Sequence, residues 1–502
     1  MSKKNNGSAP REHLKSRLGF ILISAGCAIG VGNVWRFPWM VGQYGGGMFV
    51  LIYLFFLLAM GVPALTMEFA VGRAAQASPA KMYDSLGKGN TPWKAHSILA
   101  MLGNLILMMF YVPVASWMVQ YFFDMATGDF VGLTSAEIGG KFNEMLADPT
   151  AMIIFSVLVT VSCFAICSAG VQKGLEKVSK VMMIALLAIM LILACNSIFL
   201  PGAIEGFKFY LVPNVDNFVK MGPVKVIVGA MNQAFFTLSL GIGSMAIFGS
   251  YIGRDRSLLG ESVNISLLDT FVAFTSGLII FPACFAYNID HTSNGPSLIF
   301  VTLPEVFNNI PYIGRICGIL FFLFMSFAAL STVLAVFENI IACTMDMFNW
   351  SRKKASIIDC IAILVLMLPC IFGYNLWSGF MPFGEGSAVL DLEDFIVSNI
   401  LLPIGSLVFV VFCTWKCGWG WKNFAKEANR GKGLKVAKWM RWYMTIILPI
   451  MILAIFVIGL VDKFAPTPPT DLETATDVTE ATELPGESFE FFTEPLPTEI
   501  SE

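Results

Sequence analysis

The chain has 502 residues, of which 56% are hydrophobic and only 13% charged. That apolar content exceeds what one water-soluble core can hide, which excludes an ordinary soluble globular protein and makes lipid the expected solvent. The formal net charge of −3 misrepresents the body of the chain: removing the ten acids that lie beyond Thr467, where there is no Lys or Arg, moves it to +7, so the balance implies no nucleic-acid partner.

In chain order, residues 1–12 form a polar, basic N-terminal segment without a cleavable signal pattern, expected on the cytoplasmic side. Apolar runs follow that are long enough to cross a hydrocarbon layer about 30 Å thick. They lie near 14–40, 46–72, 95–124, 151–168, 176–200, 224–250, 262–287, 313–345, 356–376, 394–414 and 438–461, which predicts an all-α polytopic membrane protein of about eleven spans. These runs are numbered spans 1 to 11 below. The transmembrane body is expected over 13–463, and the Pro/Thr/Glu-rich segment 464–502 reads as a disordered acidic tail.

Lys and Arg cluster at the start of span 1 and after each even-numbered span, for example Arg73, Lys81 and Lys88, then Lys173, Lys177 and Lys180, then Arg254 and Arg256. Cytoplasmic loops retain cations, so the pattern predicts a multi-pass protein of the cell membrane with a cytoplasmic N-terminus and an extracytoplasmic C-terminus. The eleven cysteines scatter along apolar runs, and the three histidines form no cluster, so neither suggests a metal centre.

Two spans carry the chemistry. Segment 25–38, AGCAIGVGNVWRFP, places Gly26, Gly30, Gly32 and Asn33 in one apolar run and is a poor continuous helix. Segment 232–245, NQAFFTLSLGIGSM, repeats the pattern with Gly241 and Gly243 five spans later. Backbone freed from a helix at membrane depth is tolerated only where protein or a polar cavity receives it. Interrupted helices at matching places in two five-helix halves, about 13–200 and 222–416, point to an inverted-repeat transporter with a midplane site. Such a break offers N–H groups to a carboxylate and carbonyls to an ammonium or a sodium ion, so one break can hold both ends of an amino acid. Hard oxygen ligands stand nearby in Asn33, Thr237, Asp269, Ser331 and Thr332, and no nucleophile and base set suggests an enzyme.

The strings REH at 11–13, GNVWRFP at 32–38, GGG at 45–47, FFTLSLG at 235–241, TLPEVF at 302–307 and ANRGKG at 428–433 resemble the neurotransmitter:sodium symporters, above all their bacterial amino-acid members. The resemblance runs from Arg11 to span 11. It implies the leucine-transporter fold, with spans 1 and 6 broken, and sodium-coupled uptake of a neutral, hydrophobic or aromatic amino acid by alternating access. Two sodium ions are implied. The first would be held by the Ala28 carbonyl, Asn33, Thr237 and Asp269 with the substrate carboxylate; the second by the carbonyls of Gly26, Ile29 and Ala328 with the hydroxyls of Ser331 and Thr332. Substrate contacts would come from Ala28, Gly30, Gly32, Tyr111, Phe236, Thr237 and Ser239, with Leu107, Phe236, Ile242, Thr332 and Val336 around the side chain.

The same resemblance implies an outer gate of Arg36 and Asp394 and an inner gate of Arg11 and Asp346, supported by Ser250 and Tyr251. Glu68 would bond the unwound part of span 6. Gly30 stands where monoamine carriers have an aspartate, which favours an α-amino acid. Asp269 stands where chloride-dependent members have an asparagine, which favours chloride independence. Leu14 replaces a usual tryptophan, Ile184 a usual proline ten residues after Gly174, and a twelfth span is missing; a homodimer stays an open option. Two alternatives remain at this point: a non-transporting amino-acid receptor or scaffold on the same fold, and a proton-coupled carrier using Glu68 or Glu338.

Overall fold

A computed structural model describes residues 14, 16–89, 91–289 and 296–464. Arg11 and the acidic tail lie outside them. The described residues form helices and no strands, only two isolated bridges, Arg256 with Lys432 and Pro382 with Gly384.

Nine helices are long and apolar enough to cross a membrane, among them Gly47–Ala75, Lys94–Thr127, Pro149–Ser168, Val171–Ile198, Leu258–Ala286 and Gly314–Phe348. A tenth span results if Arg17–Ala28 and Gly32–Gln43, bent by 59° at the glycine-rich break, count as one. The run expected at 224–250 consists of two shorter helices, Pro223–Phe236 and Ser244–Tyr251. Between them Ser239, Gly241 and Gly243 all take positive φ, a region that L side chains avoid. Short helices also occupy the connections, including Ser135–Ala147, Ala203–Leu211 and Trp421–Ala428.

Proline spacing explains most of the irregular turns. Wide turns of the i to i+5 kind cover Gly32–Arg36, Leu57–Gly61, Leu298–Thr302, Ile396–Leu401 and Tyr443–Ile447. Each ends two residues before a proline, namely Pro38, Pro63, Pro304, Pro403 and Pro449. Proline lacks the N–H for its turn and its ring crowds the carbonyl four residues earlier, so the ladder widens there instead of breaking. The wide turn at Val171–Leu175 has no such proline and follows Gly170 at φ 100°. Span 5 then runs unbroken through Ile184 as Glu176–Ile198.

Span 8 packs along spans 3 and 5, span 1 packs against span 8, and the second half of span 6 lies against span 2. The last contact is very close. A Cβ on Gly72 would sit 1.8 Å from the carbonyl oxygen of Ala246, and one on Gly249 would sit 2.5 Å from that of Phe69. Two glycines facing opposite ways therefore let the two backbones touch, the small-residue packing that membrane helices use where burial from water offers no drive.

Candidate functional site

At the break in span 1 the first half-helix ends at Ala28. The freed backbone is held locally: Gly30 N–H donates to Asn33 Oδ1 at 3.2 Å, and Val31 N–H donates to the Tyr111 hydroxyl at 3.1 Å. There is no room at Gly30, where a Cβ would lie 2.5 Å from Tyr111 Oη and 2.8 Å from Thr332 Oγ1. Phe236 closes over the same turn, 3.0 Å from where a Cβ on Gly32 would stand.

Two oxygen clusters flank this turn. In the first, Asp269 is completely buried, with Oδ1 accepting from Asn33 Nδ2 at 2.8 Å and Oδ2 from the Thr237 hydroxyl at 3.0 Å. Asn33 Nδ2 also lies 3.3 Å from Thr237 Oγ1 and 3.3 Å from the Asp269 carbonyl. No Lys or Arg forms an ion pair with Asp269 among the described residues. The carboxylate therefore faces only amide and hydroxyl dipoles, an arrangement that a small cation would complete.

In the second cluster, Ser331 Oγ lies 3.0 Å from the Gly26 carbonyl, 3.4 Å from that of Ile29 and 2.9 Å from that of Ala328. Thr332 Oγ1 lies 3.2, 3.4 and 3.5 Å from the same three carbonyls. The two hydroxyls have two hydrogens between them, too few for six contacts. Five oxygens thus converge with a surplus of lone pairs, which suits a hard cation and not a hydrogen-bond network alone. No group of three or more His, Cys, Asp or Glu fit to hold a metal occurs among the described residues, so neither cluster resembles a transition-metal site.

The break in span 6 is held from spans 2 and 3. Glu68 Oε2 accepts from Gly241 N–H at 3.0 Å and Oε1 from Met245 N–H at 3.1 Å. His96 Nε2 meets the Gly241 carbonyl at 3.2 Å, while Asn104 Nδ2 donates to the Ile242 carbonyl at 2.7 Å and Asn104 Oδ1 accepts from the Ser244 hydroxyl at 3.0 Å.

Comparison with known proteins places this geometry. The model of the sodium:neurotransmitter symporter family matches residues 11–137 and 140–470. The chain belongs to the sodium:neurotransmitter symporter family. It is 32% identical to the uncharacterized sodium-dependent transporter YhdH of Bacillus subtilis over 88% of this chain and 96% of that one. It is 24% identical to the sodium- and chloride-dependent taurine transporter of Rattus norvegicus over 92% of this chain and 80% of that one. Among solved structures it is similar to MhsT in complex with L-phenylalanine, with a TM-score of 0.79 and 35% identity over 89% of this chain and all of that one. The protein is a multi-pass, sodium-coupled secondary transporter, not an enzyme.

In this symporter the expected ligand residues fall in two groups. Asn33, Thr237 and Asp269 meet directly, as do Gly26, Ile29, Ala328, Ser331 and Thr332, whereas Ala28 enters as the buried last residue of its half-helix. Leu107 on span 3, Ile242 in the span 6 break and Val336 on span 8 are buried on facing elements. Ser239 lies in the turn after Phe236, its N–H donating to the Phe236 carbonyl at 2.9 Å.

At the expected outer gate the two residues stand apart. Arg36 and Asp394 make no ion pair within 4.0 Å; the guanidinium lies over the Phe236 ring, 4.1 Å from its centroid, and Asp394 accepts from the Ser398 hydroxyl at 2.7 Å. A flat cation can rest on an aromatic face as well as on a carboxylate, and here the ring is the nearer partner. At the inner end Asp346 Oδ2 accepts from Ser78 N–H at 2.8 Å, and Arg11 lies outside the described residues. The Tyr251 hydroxyl donates to Glu338 at 2.6 Å, and Glu338 also takes a bidentate pair from Arg352 at 2.7 and 2.9 Å.

Reading the sequence missed His96, Asn104, Arg352 and the Glu176 and Glu261 anchors of span 1. The last two hold Ser16 at 3.2 Å and Arg17 at 2.9 Å. Asn104 had a usable signal, a lone amide in an apolar run; His96 had none for its hold on span 6, because the Gly241 carbonyl is 145 residues away.

Proposed function

We propose that this symporter takes up a neutral α-amino acid, with an apolar or aromatic side chain favoured, together with two sodium ions and without chloride. The observation that carries the reading is the opened turn at Gly30 to Gly32, set between two oxygen-rich clusters that hold no Lys or Arg ion pair among the described residues. A zwitterion brings its own carboxylate to the N–H side of such a turn and its own ammonium to the carbonyl side. An amine without a carboxylate would need an acid at Gly30, where even a Cβ meets Tyr111 and Thr332.

Chloride independence rests on Asp269, a buried carboxylate that supplies the negative charge from the protein itself. An apolar or aromatic substrate is supported by the buried Leu107, Ile242 and Val336 and by the phenylalanine bound to the related MhsT.

Coupling follows if the first sodium is shared by Asn33, Thr237, Asp269 and the substrate carboxylate, since each bound species then strengthens the other. The second sodium, held by Ser331, Thr332 and three carbonyls, would tie span 1 to span 8. Alternating access would open and close the Arg36–Asp394 and Arg11–Asp346 ends in turn. The transporter body is taken as 13–463 in two inverted halves, with the N-terminus cytoplasmic and the C-terminus outside.

The test is uptake of labelled phenylalanine, leucine, tyrosine and tryptophan into proteoliposomes, with choline replacing sodium and gluconate replacing chloride. Uptake of at least one that needs sodium and ignores chloride is expected. Uptake driven by a pH gradient in choline would replace the reading with a proton-coupled carrier, and binding without uptake would replace it with a receptor.

A further inference from the structure

Eight carboxyl groups are buried among the described residues: Glu68, Glu176, Glu261, Asp269, Glu338, Asp359, Glu393 and Glu427. Seven of them are held. Glu176, Glu261, Glu338 and Glu427 pair with Lys or Arg, Glu68 takes two backbone N–H groups, Asp269 takes Asn33 and Thr237, and Asp359 takes the Thr344 hydroxyl. Glu393 is the exception. It is 5% exposed, and both of its carboxyl oxygens are buried without a hydrogen-bond partner.

Among the described residues no Lys or Arg forms an ion pair with it; Arg36 and Lys463 act on its neighbours Asp394 and Asp391. Glu393 sits in the first turns of span 10, Val389–Phe395, one residue before Asp394. On its own helix stand two further acids, Asp391 and Asp394, with Asp391 capping the helix through Ala388 N–H at 2.7 Å and Asp394 engaged by Ser398. The end of span 9 and the turn after it bring Cys370 and Tyr374 close to Glu393 and Asp391. Span 3 packs on the same turn, with Trp117 5.5 Å from Tyr374; its titratable groups are Lys94, His96, Tyr111, Tyr121 and Asp124, and none of them hydrogen-bonds Glu393. From span 11, Lys463 acts on Asp391 and lies over the Phe383 ring at 3.9 Å. An ionised carboxylate with two buried, unpartnered oxygens and two acids beside it is untenable, because burial penalises the charged form far more than the neutral acid.

We propose that Glu393 is a proton-binding site, protonated in the conformation described here and ionised when the outer end of span 10 meets water. The step is a simple acid dissociation: the carboxyl O–H bond breaks, the proton passes to a vestibule water, and the carboxylate remains beside Asp394. Two adjacent carboxylates then repel, which weakens closure at the outer end. External protons thereby favour the buried arrangement, and one proton per chain accompanies the movement. The proposal depends on neither the identity of the amino acid nor the number of sodium ions.

The test compares purified wild-type protein with Glu393→Gln, which mimics the protonated acid. Infrared difference spectra at neutral pH should show a protonated-carboxyl stretch in the wild type that is missing from the variant. The apparent Tm of the variant should rise relative to the wild type as pH increases from about 5 to about 8, since the unfolded carboxyl ionises there and the buried one must hold its proton. Sodium-dependent uptake should vary less with pH in the variant. Should Glu393→Gln fail to fold, Glu393→Met gives the same spectroscopic comparison, and pH titration of the wild-type band gives a third. An unchanged carboxyl band, or a Tm difference that stays flat with pH, overturns the proposal.

Discussion

The imidazole Nε2 of His96 lies 3.2 Å from the carbonyl oxygen of Gly241. On the other side of the ring Nδ1 is 2.7 Å from the Tyr83 hydroxyl. A neutral ring carrying its proton on Nε2 satisfies both, donating to Gly241 and accepting from Tyr83. With Glu68 on the Gly241 N–H, the peptide groups on either side of this one glycine are gripped from spans 2 and 3. Gly241 itself leaves no space for adjustment, since a Cβ there would stand 2.3 Å from the Leu402 carbonyl oxygen.

His96→Ala is therefore expected to orphan a buried carbonyl and to lower stability by about 1–3 kcal/mol. The apparent Tm should fall, and the KM for substrate should rise more than the maximal rate falls, because the break in span 6 loses a support without losing its ion ligands. His96→Gln, which keeps a donor, should recover part of both. An equal loss in the two variants would show that ring packing, not the bond to Gly241, is what matters.

The broken helices were legible because their cause is local: two glycine pairs in apolar runs, with Asn33 or Ser239 beside them, cannot sustain a ladder. Most run boundaries fall within a few residues of the helices for the same reason, as with 95–124 against Lys94–Thr127. The five wide turns two residues before a proline have an equally local cause, and the spacing was open to reading. What could not be read was which polar residues meet the exposed backbone. His96 begins an apolar run, where a histidine suggests an interface, and Arg352 begins another, where it suggests a loop cation; both gain their roles only when distant helices pack. The Arg36 stack on Phe236 is of this kind as well, depending on how far the second half of span 1 tilts.

Asp269 meets Asn33 and Thr237 and pairs with no Lys or Arg among the described residues, so its charge is the quantity to alter. Asp269→Asn should leave the shape nearly intact, lower uptake in chloride-free buffer at least about tenfold, equivalent to about 1.4 kcal/mol, and make the residual uptake rise when chloride is restored. Initial rates in gluconate and chloride media check this. Residual uptake indifferent to chloride would mean that the carboxylate serves folding alone.

Ser331 and Thr332 share three carbonyls, so each hydroxyl should matter more to ion affinity than to folding. Replacing Ser331 by Ala removes one oxygen but relieves the shortage of hydrogens, and is expected to raise the half-saturating sodium concentration about tenfold, or about 1.4 kcal/mol, with a Tm close to wild type. Thr332→Ser keeps the oxygen and should stay near the wild-type value. Sodium titrations of uptake or of substrate binding distinguish the two; equal sodium dependence in both variants would remove the hydroxyls from the ion site.

Close contact between spans 2 and 6 gives the sharpest stability prediction. A methyl group on Gly72 would point at the Ala246 carbonyl oxygen from 1.8 Å, and the obstacle is backbone, which cannot rotate aside as a side chain could. The second half of span 6, Ser244–Tyr251, would have to move outward, and near its start the Met245 N–H is bound by Glu68. Gly72→Ala should therefore cost at least the 1–3 kcal/mol typical of overpacking, to which about 1 kcal/mol is added if the Glu68 bond stretches. The loss should appear both as a lower apparent Tm and as weaker substrate binding, because the packing contact and the broken segment belong to one helix. Gly87 provides the control: nothing lies within 4 Å of its Cβ position, but its φ of 74° is itself strained for alanine, so Gly87→Ala should lower Tm only slightly and leave binding unchanged. If Gly72→Ala lowers Tm while substrate affinity stays intact, the contact is a packing seam with no mechanical link to the site.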